Sequence, residues 1–423
     1  MTFIQLLASL TPIIGVMLFL VWFRLPASKA MPISLLLTLA AAAFIWKMPT
    51  QLLMASILEG LVASLTPLFI IFGAVFLLNT LKNSGAMDTI RAGFTNISDD
   101  RRVQVIIICW LFGSFIEGSA GFGTPAAICA PLLVLIGVPP IAAAVVALIA
   151  DSTSVSFGAI GTPINFGLEQ GLKAGGGYVS DGFMQAHNMG ISEYLSGIAL
   201  HASTIDLITG SLIPLVLVCV LTGFFGKNKS FKEGLQVWKF ALFSGFAFTI
   251  PAWLMNYFIG PEFPSVIGAL IGMAIVIPAA KKGWLLPKTT WNDFAEKVEI
   301  KHVETQVKYS QLTAWAPYLV MAVLLVLSRT IEPFTALLKS VVFSTGPIMG
   351  TSLHQSIAPL YLPGTFFIVV CILGFIIFKM NGSAIKTSII DSSKSMLPTI
   401  ISLGASVPWL RYSLTRAIMA FKV

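Results

Sequence analysis

The 423-residue chain is too apolar to be a soluble protein. Hydrophobic residues make up 56% of it, charged residues only 10%, and the mean hydropathy is +0.89. These values exclude a soluble globular protein and indicate a polytopic membrane protein. The formal net charge of +8 needs no nucleic-acid partner, because Lys and Arg are retained on the cytoplasmic side of membrane proteins and so report topology.

Apolar stretches of roughly the 20 residues that a bilayer requires recur along the chain. They predict an all-α, polytopic transmembrane helix bundle of about 10–12 spans, with residues 1–423 as a single integral membrane transporter domain. The first stretch lacks the basic amino-terminal region and cleavage site of a signal peptide, so it is expected to be a retained span. The stretches cover roughly 3–23, 30–46, 59–78, 103–138, 141–164, 205–225, 240–259, 264–280, 314–328, 361–378 and 397–420.

Positive charge alternates between the polar segments that separate these stretches. Five segments carry 19 of the 26 Lys and Arg residues, whereas the outer segments between them hold only Lys47, Lys173, Arg329 and Lys339. The positive-inside rule therefore places the five basic segments in the cytoplasm and the amino terminus outside, and it predicts a cytoplasmic loop at about 281–311. The five segments are 24–29, 82–102, 227–239, 281–308 and 379–394.

Residue types that bind metals or cofactors do not cluster in this sequence. Cys109, Cys129, Cys219 and Cys371 all fall in apolar stretches and are expected to be small core residues. No two histidines have metal-ligand spacing, and no nucleotide motif or nucleophile–base pair occurs at a catalytic spacing. No cofactor, no metal site and no enzymatic activity is therefore expected.

Two glycine-rich segments interrupt the apolar stretches in the first half of the chain. One, 118–123, breaks a stretch that is too long for a single straight helix, and the other, 154–163, has a similar composition. Each ends in Gly-Thr-Pro before an apolar run, which predicts a helix start with Thr as the N-cap and Pro at the first helical position. Broken helices or re-entrant hairpins are therefore expected around 117–125 and 151–163.

Two acids, Glu117 and Asp151, stand directly before these segments. An ionised carboxylate in the middle of a membrane costs at least a few kcal/mol, so such a group is normally protonated, paired or in a water-filled path. Both residues are therefore candidates for proton coupling. The other acids near spans, such as Glu59 and Asp206, lie near expected helix starts, where negative charge is favourable.

An anion bound near the glycine-rich segments would have no basic neighbour in sequence, because residues 103–172 contain no Lys or Arg. It would be held by backbone amides at helix amino termini, by hydroxyl groups, or by a cation from elsewhere in the chain. The alternative is that the small residues only let membrane helices pack closely. The candidate substrate-binding residues are Ser119, Gly121, Gly123, Thr124, Ser154, Ser156, Gly161 and Thr162.

An acid beside an anion site suggests a transport mechanism. Carrying a monocarboxylate inward alone works against the membrane potential at about 2.3 kcal/mol per 100 mV, whereas carrying it with one proton is electroneutral. Proton symport is therefore expected. Sodium coupling and a channel-like passage of the anion stay open as alternatives.

Two stretches resemble the signature of bacterial L-lactate permeases: 115–128 (FIEGSAGFGTPAAI) and 148–164 (LIADSTSVSFGAIGTPI). The upstream segments 82–91 and 99–105 are similar to that family as well, and the specific resemblance covers about 24–164. It implies a multi-pass secondary transporter of the bacterial inner membrane, so that the outside amino terminus predicted from charge would be periplasmic. The implied partners are protons, membrane lipid and small carboxylates, namely lactate, glycolate or other short 2-hydroxy acids; the resemblance leaves the oligomeric state undetermined.

The chain departs from this family at its carboxyl end. Members usually continue further and carry another glycine- and serine-rich membrane segment, whereas this sequence stops soon after Trp409. If transport uses two related halves, part of the second half is missing. The expectation is a carboxyl-terminally truncated form, with a non-transporting product as the alternative.

Overall fold

The computed structural model describes residues 10–95, 97–121, 124–174, 177–178, 181–296, 307–351 and 353–421. In these ranges the chain is a bundle of helices with two short antiparallel strand pairs. Seven helical segments of the described ranges, one of them the broken helix Pro140–Leu172, are long and apolar enough to cross a membrane, and three shorter apolar helices accompany them. The predicted all-α membrane bundle is confirmed.

The helices are α1 (Thr11–Trp22), α2 (Ala27–Ile45), α3 (Thr50–Ser84), α4 (Ala86–Thr95), α5 (Arg101–Ala120), α6 (Thr124–Leu135), α7 (Pro140–Ser154), α8 (163–172), α9 (Asp181–Ala186), α10 (Ile191–Phe225), α11 (Phe231–Leu235), α12 (Trp238–Phe258), α13 (Pro264–Lys281), α14 (Gln311–Thr330), α15 (Glu332–Lys339), α16 (Pro363–Ile377) and α17 (Gly382–Phe421). The strand pairs are β1 (Lys173–Ala174) with β2 (Gly177–Tyr178), and β3 (Phe343–Ser344) with β4 (Ser356–Ile357).

Helices α3 and α17 are longer than the apolar stretches that predict them. They have 35 and 40 residues, so each is about 50 to 60 Å long and exceeds the roughly 30 Å hydrocarbon core. Their polar ends pair with each other, because the amides of Asn79 and Asn83 donate hydrogen bonds of 3.0 Å to the hydroxyls of Ser392 and Ser388. Hydropathy does not predict these helix ends, because they contain polar side chains that hydrogen-bond to the neighbouring helix.

Helices α5 and α6 form a re-entrant hairpin. The Sγ of Cys129 on α6 donates to the carbonyl of Ile108 on α5 at 3.3 Å, and Gly113 of α5 packs against Cys129 and Pro125. The chain therefore turns back after α5 instead of continuing across as one broken helix. Helix α5 is buried along its length, and α7 then runs beside α6.

One end of the bundle gathers the basic segments. The guanidinium of Arg102, which is fully buried, pairs with Asp100 at 2.6 Å and donates to the carbonyls of Glu233 and Thr289. The Tyr309 hydroxyl bonds the carbonyls of Ser84 and Phe378, which brings the start of the last basic segment to the same end. Four of the five segments predicted to be cytoplasmic thus lie together; which side of the membrane they face stays a prediction.

Candidate substrate and proton site

The first break separates α5 from α6. Helix α5 ends at Ala120, and Gly121 adopts a left-handed conformation with φ of +66° while its N–H donates to the carbonyl of Glu117 at 2.8 Å. The next helix starts at Thr124, as the Gly-Thr-Pro pattern predicts. Gly123 lies outside the described residues. A Cβ atom on Gly121 would come within 2.7 Å of the Cβ of Ala159, so this break packs directly against the second one.

The second break follows α7. Residues 155–157 form a tight turn, Ala159 and Ile160 are left-handed with φ of 42° and 55°, and the helix resumes at Pro163. A left-handed residue with a side chain costs about 1–2 kcal/mol, and such strain clusters at binding and catalytic sites. The predicted break is confirmed, although α7 continues to Ser154 and so holds Asp151 in its last helical turn.

Thr162 lies at the N-cap of its helix with Pro163 at the first helical position, as predicted, whereas the helix after the first break already includes Thr124. The Thr124 hydroxyl donates to the carbonyl of Gly121 at 2.9 Å, and the Thr162 hydroxyl donates to the carbonyl of Ala159. The Thr162 side chain accepts no hydrogen bond from the following helix. Each threonine hydroxyl thus satisfies a backbone carbonyl three residues earlier and stabilises the glycine-rich turn that precedes the helix.

The two predicted acids meet where the breaks touch. Glu117, which is 1% exposed, lies against Gly158, and its side chain interacts with that of Asp151. Asp151 is half-buried, and its Oδ1 atom is buried with no hydrogen-bond partner in the described part of the chain. The Ser265 hydroxyl at the start of α13 donates to the carbonyl of Ser154 at 2.9 Å and closes the site from a third side.

The contact between Glu117 and Asp151 has a definite protonation requirement. An ionised carboxylate only accepts hydrogen bonds, so two carboxyl groups bond each other only when one of them carries a proton. Two carboxylates in contact also repel each other too strongly to be ionised together. Two acids this close therefore form a candidate proton-binding pair.

Of the hydroxyl groups predicted to bind substrate, some bond within their own helix and one lines a cavity. The Ser119 hydroxyl, which is buried, donates to the carbonyl of Phe115 within its own helix at 2.6 Å, and the Ser154 hydroxyl donates to the carbonyl of Asp151 at 3.5 Å. Ser156 is half-buried. Thr162, in contrast, lines a cavity.

This cavity has a volume of about 360 Å³ and lies between α3, α8, α10 and α15. We call it the outer cavity, since it is at the end opposite the basic segments: α14 starts beside Thr89 at the basic end, and Arg329, near the far end of α14, lines the cavity. Lys339 and Tyr361 line it as well. Of the predicted site residues, the lining includes Thr162 but neither Glu117 nor Asp151.

Arg329 is fixed in the cavity wall by several contacts. Its Nε donates to Glu262 Oε1 at 3.2 Å, and its two terminal nitrogens donate to the carbonyl of Tyr361 at 3.3 Å each. The guanidinium also stacks 3.7 Å from the centre of the Tyr361 ring. The sequence prediction did not include Arg329 and Lys339 in the site. The one feature of the sequence that could have indicated them is that Lys and Arg are rare in the segments predicted to lie outside.

Comparisons with known proteins agree in naming one kind of transporter. The family model described as L-lactate permease matches residues 5–415. An L-lactate permease of Bacillus subtilis (strain 168) is 33% identical over 75% of this chain and 53% of its own length. A glycolate permease of Escherichia coli (strain K12) is 32% identical over 78% and 56%, and an L-lactate permease of that strain is 31% identical over 79% and 56%. The chain thus spans about half the length of these curated relatives. No solved structure matches it.

Proposed function

This chain belongs to the L-lactate permease family, and from this premise we propose that it imports L-lactate and related short 2-hydroxy monocarboxylates, such as glycolate, by proton symport. The relatives' names, lactate permease and glycolate permease, support this substrate class. The protein is proposed to lie in the bacterial inner membrane with its amino terminus outside, as the distribution of Lys and Arg favours.

The observation that carries the coupling proposal is that Glu117, buried against Gly158 in the second break, meets Asp151 in the last turn of α7. Because this pair holds a proton between two helices that both break at the same place, release of the proton removes the bond that joins α5 to α7. Protonation and the packing of the two breaks are thereby linked. A carrier that binds its anion next to this pair moves proton and anion together without net charge.

The substrate is proposed to bind at the helix starts that the two breaks create. Unpaired backbone N–H groups and the helix dipole favour a carboxylate there without a basic side chain. The proposed residues stay those that the sequence predicts. One of them, Thr162, lines the outer cavity, so a substrate in that cavity can reach the second break. They are Ser119, Gly121, Gly123 and Thr124 in the first break, and Ser154, Ser156, Gly161 and Thr162 in the second.

The test is lactate uptake into proteoliposomes that contain the 423-residue chain, with proton and sodium gradients imposed separately. We expect a proton gradient to drive accumulation. Glu117→Gln and Asp151→Asn should abolish that accumulation yet retain exchange of internal for external lactate, since exchange needs no net proton release. Asp206→Asn is the matched control, because Asp206 is also a half-buried acid within a span.

Each alternative has its own outcome. Full proton-driven accumulation in Glu117→Gln overturns the assigned coupling pair, and accumulation driven only by sodium replaces proton symport with sodium coupling. Current without accumulation indicates a channel, and no uptake at all by the wild-type chain indicates a non-transporting product. A panel of lactate, glycolate, pyruvate and acetate then tests the requirement for a 2-hydroxyl group.

A further inference from the structure

The outer cavity contains two cations, and only one of them forms an ion pair in the described part of the chain. Of its two cations, Arg329 pairs with Glu262 at 3.2 Å, whereas Lys339 makes no ion pair with any residue in the described ranges. Glu169 also lines the cavity, but it has an interaction partner of its own. The four charged residues of the lining thus have a formal net charge of zero, and Lys339 is the cation among them without an ion pair to a described residue.

One aromatic ring holds both cations. The Tyr361 ring centre lies 3.7 Å from the Arg329 guanidinium carbon and 4.5 Å from Lys339 Nζ. Cations are attracted to the face of a neutral ring. Burial is the main influence on the Tyr361 phenol and raises its pKa, so the ring stays neutral at physiological pH. The ring thus stabilises the Lys339 ammonium at the cavity without neutralising it.

The two cations have different accessibility. The Arg329 side chain is only 9% exposed, and its guanidinium group already interacts with Glu262, with the Tyr361 carbonyl and with the Tyr361 ring. Lys339, the last residue of α15, is exposed. An ammonium group has three donors and no acceptor, and a carboxylate is its strongest common partner. A ligand entering the cavity therefore meets Lys339 as its available cation.

We propose that the outer cavity is a capture site for small monocarboxylates, in which Lys339 binds the carboxylate and Arg329 forms a fixed wall. The cavity volume of about 360 Å³ falls in the range of small-molecule sites. Polar side chains of Asn165, Gln355 and Thr162 line the same space and provide hydrogen-bonding groups for a substrate hydroxyl. The choice of lactate as the ligand rests on the proposed function.

The capture site differs from the proton site in what it controls. Lys339 lies in the outer cavity, whereas Glu117 and Asp151 do not line it. Removing the Lys339 charge should weaken the binding of external lactate but leave coupling intact. Attraction by an exposed charge is screened by salt, so part of the wild-type affinity should fall as ionic strength rises.

The experiment measures lactate uptake from the outer face as a function of lactate concentration. Lys339→Gln is expected to raise KM about tenfold, with Vmax within twofold of wild type and a weaker dependence of KM on salt. Lys339→Arg should keep KM near wild type. Lys47→Gln is the matched control, because Lys47 is an exposed base of another outer segment and does not line the cavity.

Chemical rescue separates a charge effect from a structural one. Lys339→Cys should have a high KM that falls again after a methanethiosulfonate reagent adds an aminoethyl group, but not after a reagent adds a sulfonatoethyl group. Wild-type protein treated in the same way controls for Cys219, which is half-buried. An unchanged KM in Lys339→Gln, an equal rise in Lys47→Gln, or equal rescue by both reagents overturns the proposal.

Failure of the proposed function gives a different pattern. Lys339→Gln should still accumulate lactate with a proton gradient when lactate is saturating, whereas Glu117→Gln should not. If the wild-type chain accumulates nothing, calorimetric titration of the purified protein with lactate still tests the cavity. Tighter binding to wild type than to Lys339→Gln then supports the capture site, and equal binding overturns it.

Discussion

The carboxyl group of Glu117 lies directly against the α-carbon of Gly158 and occupies the space where a side chain would start. The backbone of Gly158, with φ of −65° and ψ of 159°, is one that any residue adopts. Glycine is therefore required at this position by the close approach of the acid and not by the local conformation. In this position the acid on α5 also interacts with Asp151 on α7.

Gly158→Ala should displace the Glu117 carboxyl and separate it from Asp151. Overpacking of a tight interior costs about 1–3 kcal/mol, so we expect a lower midpoint of thermal unfolding in detergent together with loss of proton-driven lactate accumulation. Gly167→Ala serves as the control, since a Cβ atom there meets nothing within 4 Å. A Gly158→Ala protein as stable and as active as wild type would show that the acid has room to move.

The pair of Arg329 and Glu262 should behave as a buried ion pair. Their side chains are 9% and 13% exposed, and removal of one partner of such a pair costs about 3–5 kcal/mol, because the other charge is left uncompensated. We expect Arg329→Gln and Glu262→Gln each to lower the unfolding midpoint strongly, and the double variant to lower it by less than the sum.

The matched control for this cycle is Arg91 with Asp88, a pair at 3.4 Å whose side chains are 24% and 49% exposed. Asp88→Asn should change stability by only about 0–1 kcal/mol. Strictly additive effects at Arg329 and Glu262 would contradict a direct coupling between the two charges.

Arg102 should be essential for the packing of the basic end. It is fully buried, pairs with Asp100 at 2.6 Å, and donates to carbonyls of two other segments. Arg102→Gln is expected to lower the unfolding midpoint and to make the predicted cytoplasmic loop, about 281–311, more sensitive to added protease. Arg101→Gln is the control, because the half-buried Arg101 side chain donates to the side chain of Gln104 and not to another segment. Equal protease sensitivity in the two variants would argue against the role given to Arg102.

The features that sequence predicted well are those set by local chemistry. Glycine at Gly121 and the Thr-Pro step at Thr162 mark the two breaks, because a left-handed turn and a helix start need those residue types. The direction of α6 was left open, because a straight crossing and a hairpin have the same hydropathy. Packing of Cys129 on Ile108 decides it.

Long-range packing accounts for the part of the site that sequence did not predict. Nothing near Arg329 or Lys339 in the sequence indicates that both contact the Tyr361 ring, because α15 and the loop before α16 meet only in the folded protein. The Glu117–Asp151 contact is of the same kind. The cost of an acid in the membrane indicates each residue separately, but only the fold shows that Glu117 packs against Gly158, next to Asp151.

Thr162 and Ser119 test which of the predicted binding residues act through their hydroxyl groups. Thr162 lines the outer cavity, and its hydroxyl donates to the carbonyl of left-handed Ala159, which leaves its oxygen lone pairs available as acceptors. The Ser119 hydroxyl bonds within its own helix, and Ser119 does not line that cavity.

Thr162→Val keeps the shape of the side chain but removes the hydroxyl, so we expect KM for lactate to rise roughly tenfold, an amount equivalent to about 1.4 kcal/mol and typical of one lost hydrogen bond. Thr162→Ser should stay within a factor of about two, and Ser119→Ala should raise KM by less than Thr162→Val because the Ser119 hydroxyl already donates to the carbonyl of Phe115. Initial uptake rates across a range of lactate concentrations measure both effects. A larger rise in KM for Ser119→Ala than for Thr162→Val would move the substrate from the second break toward the first.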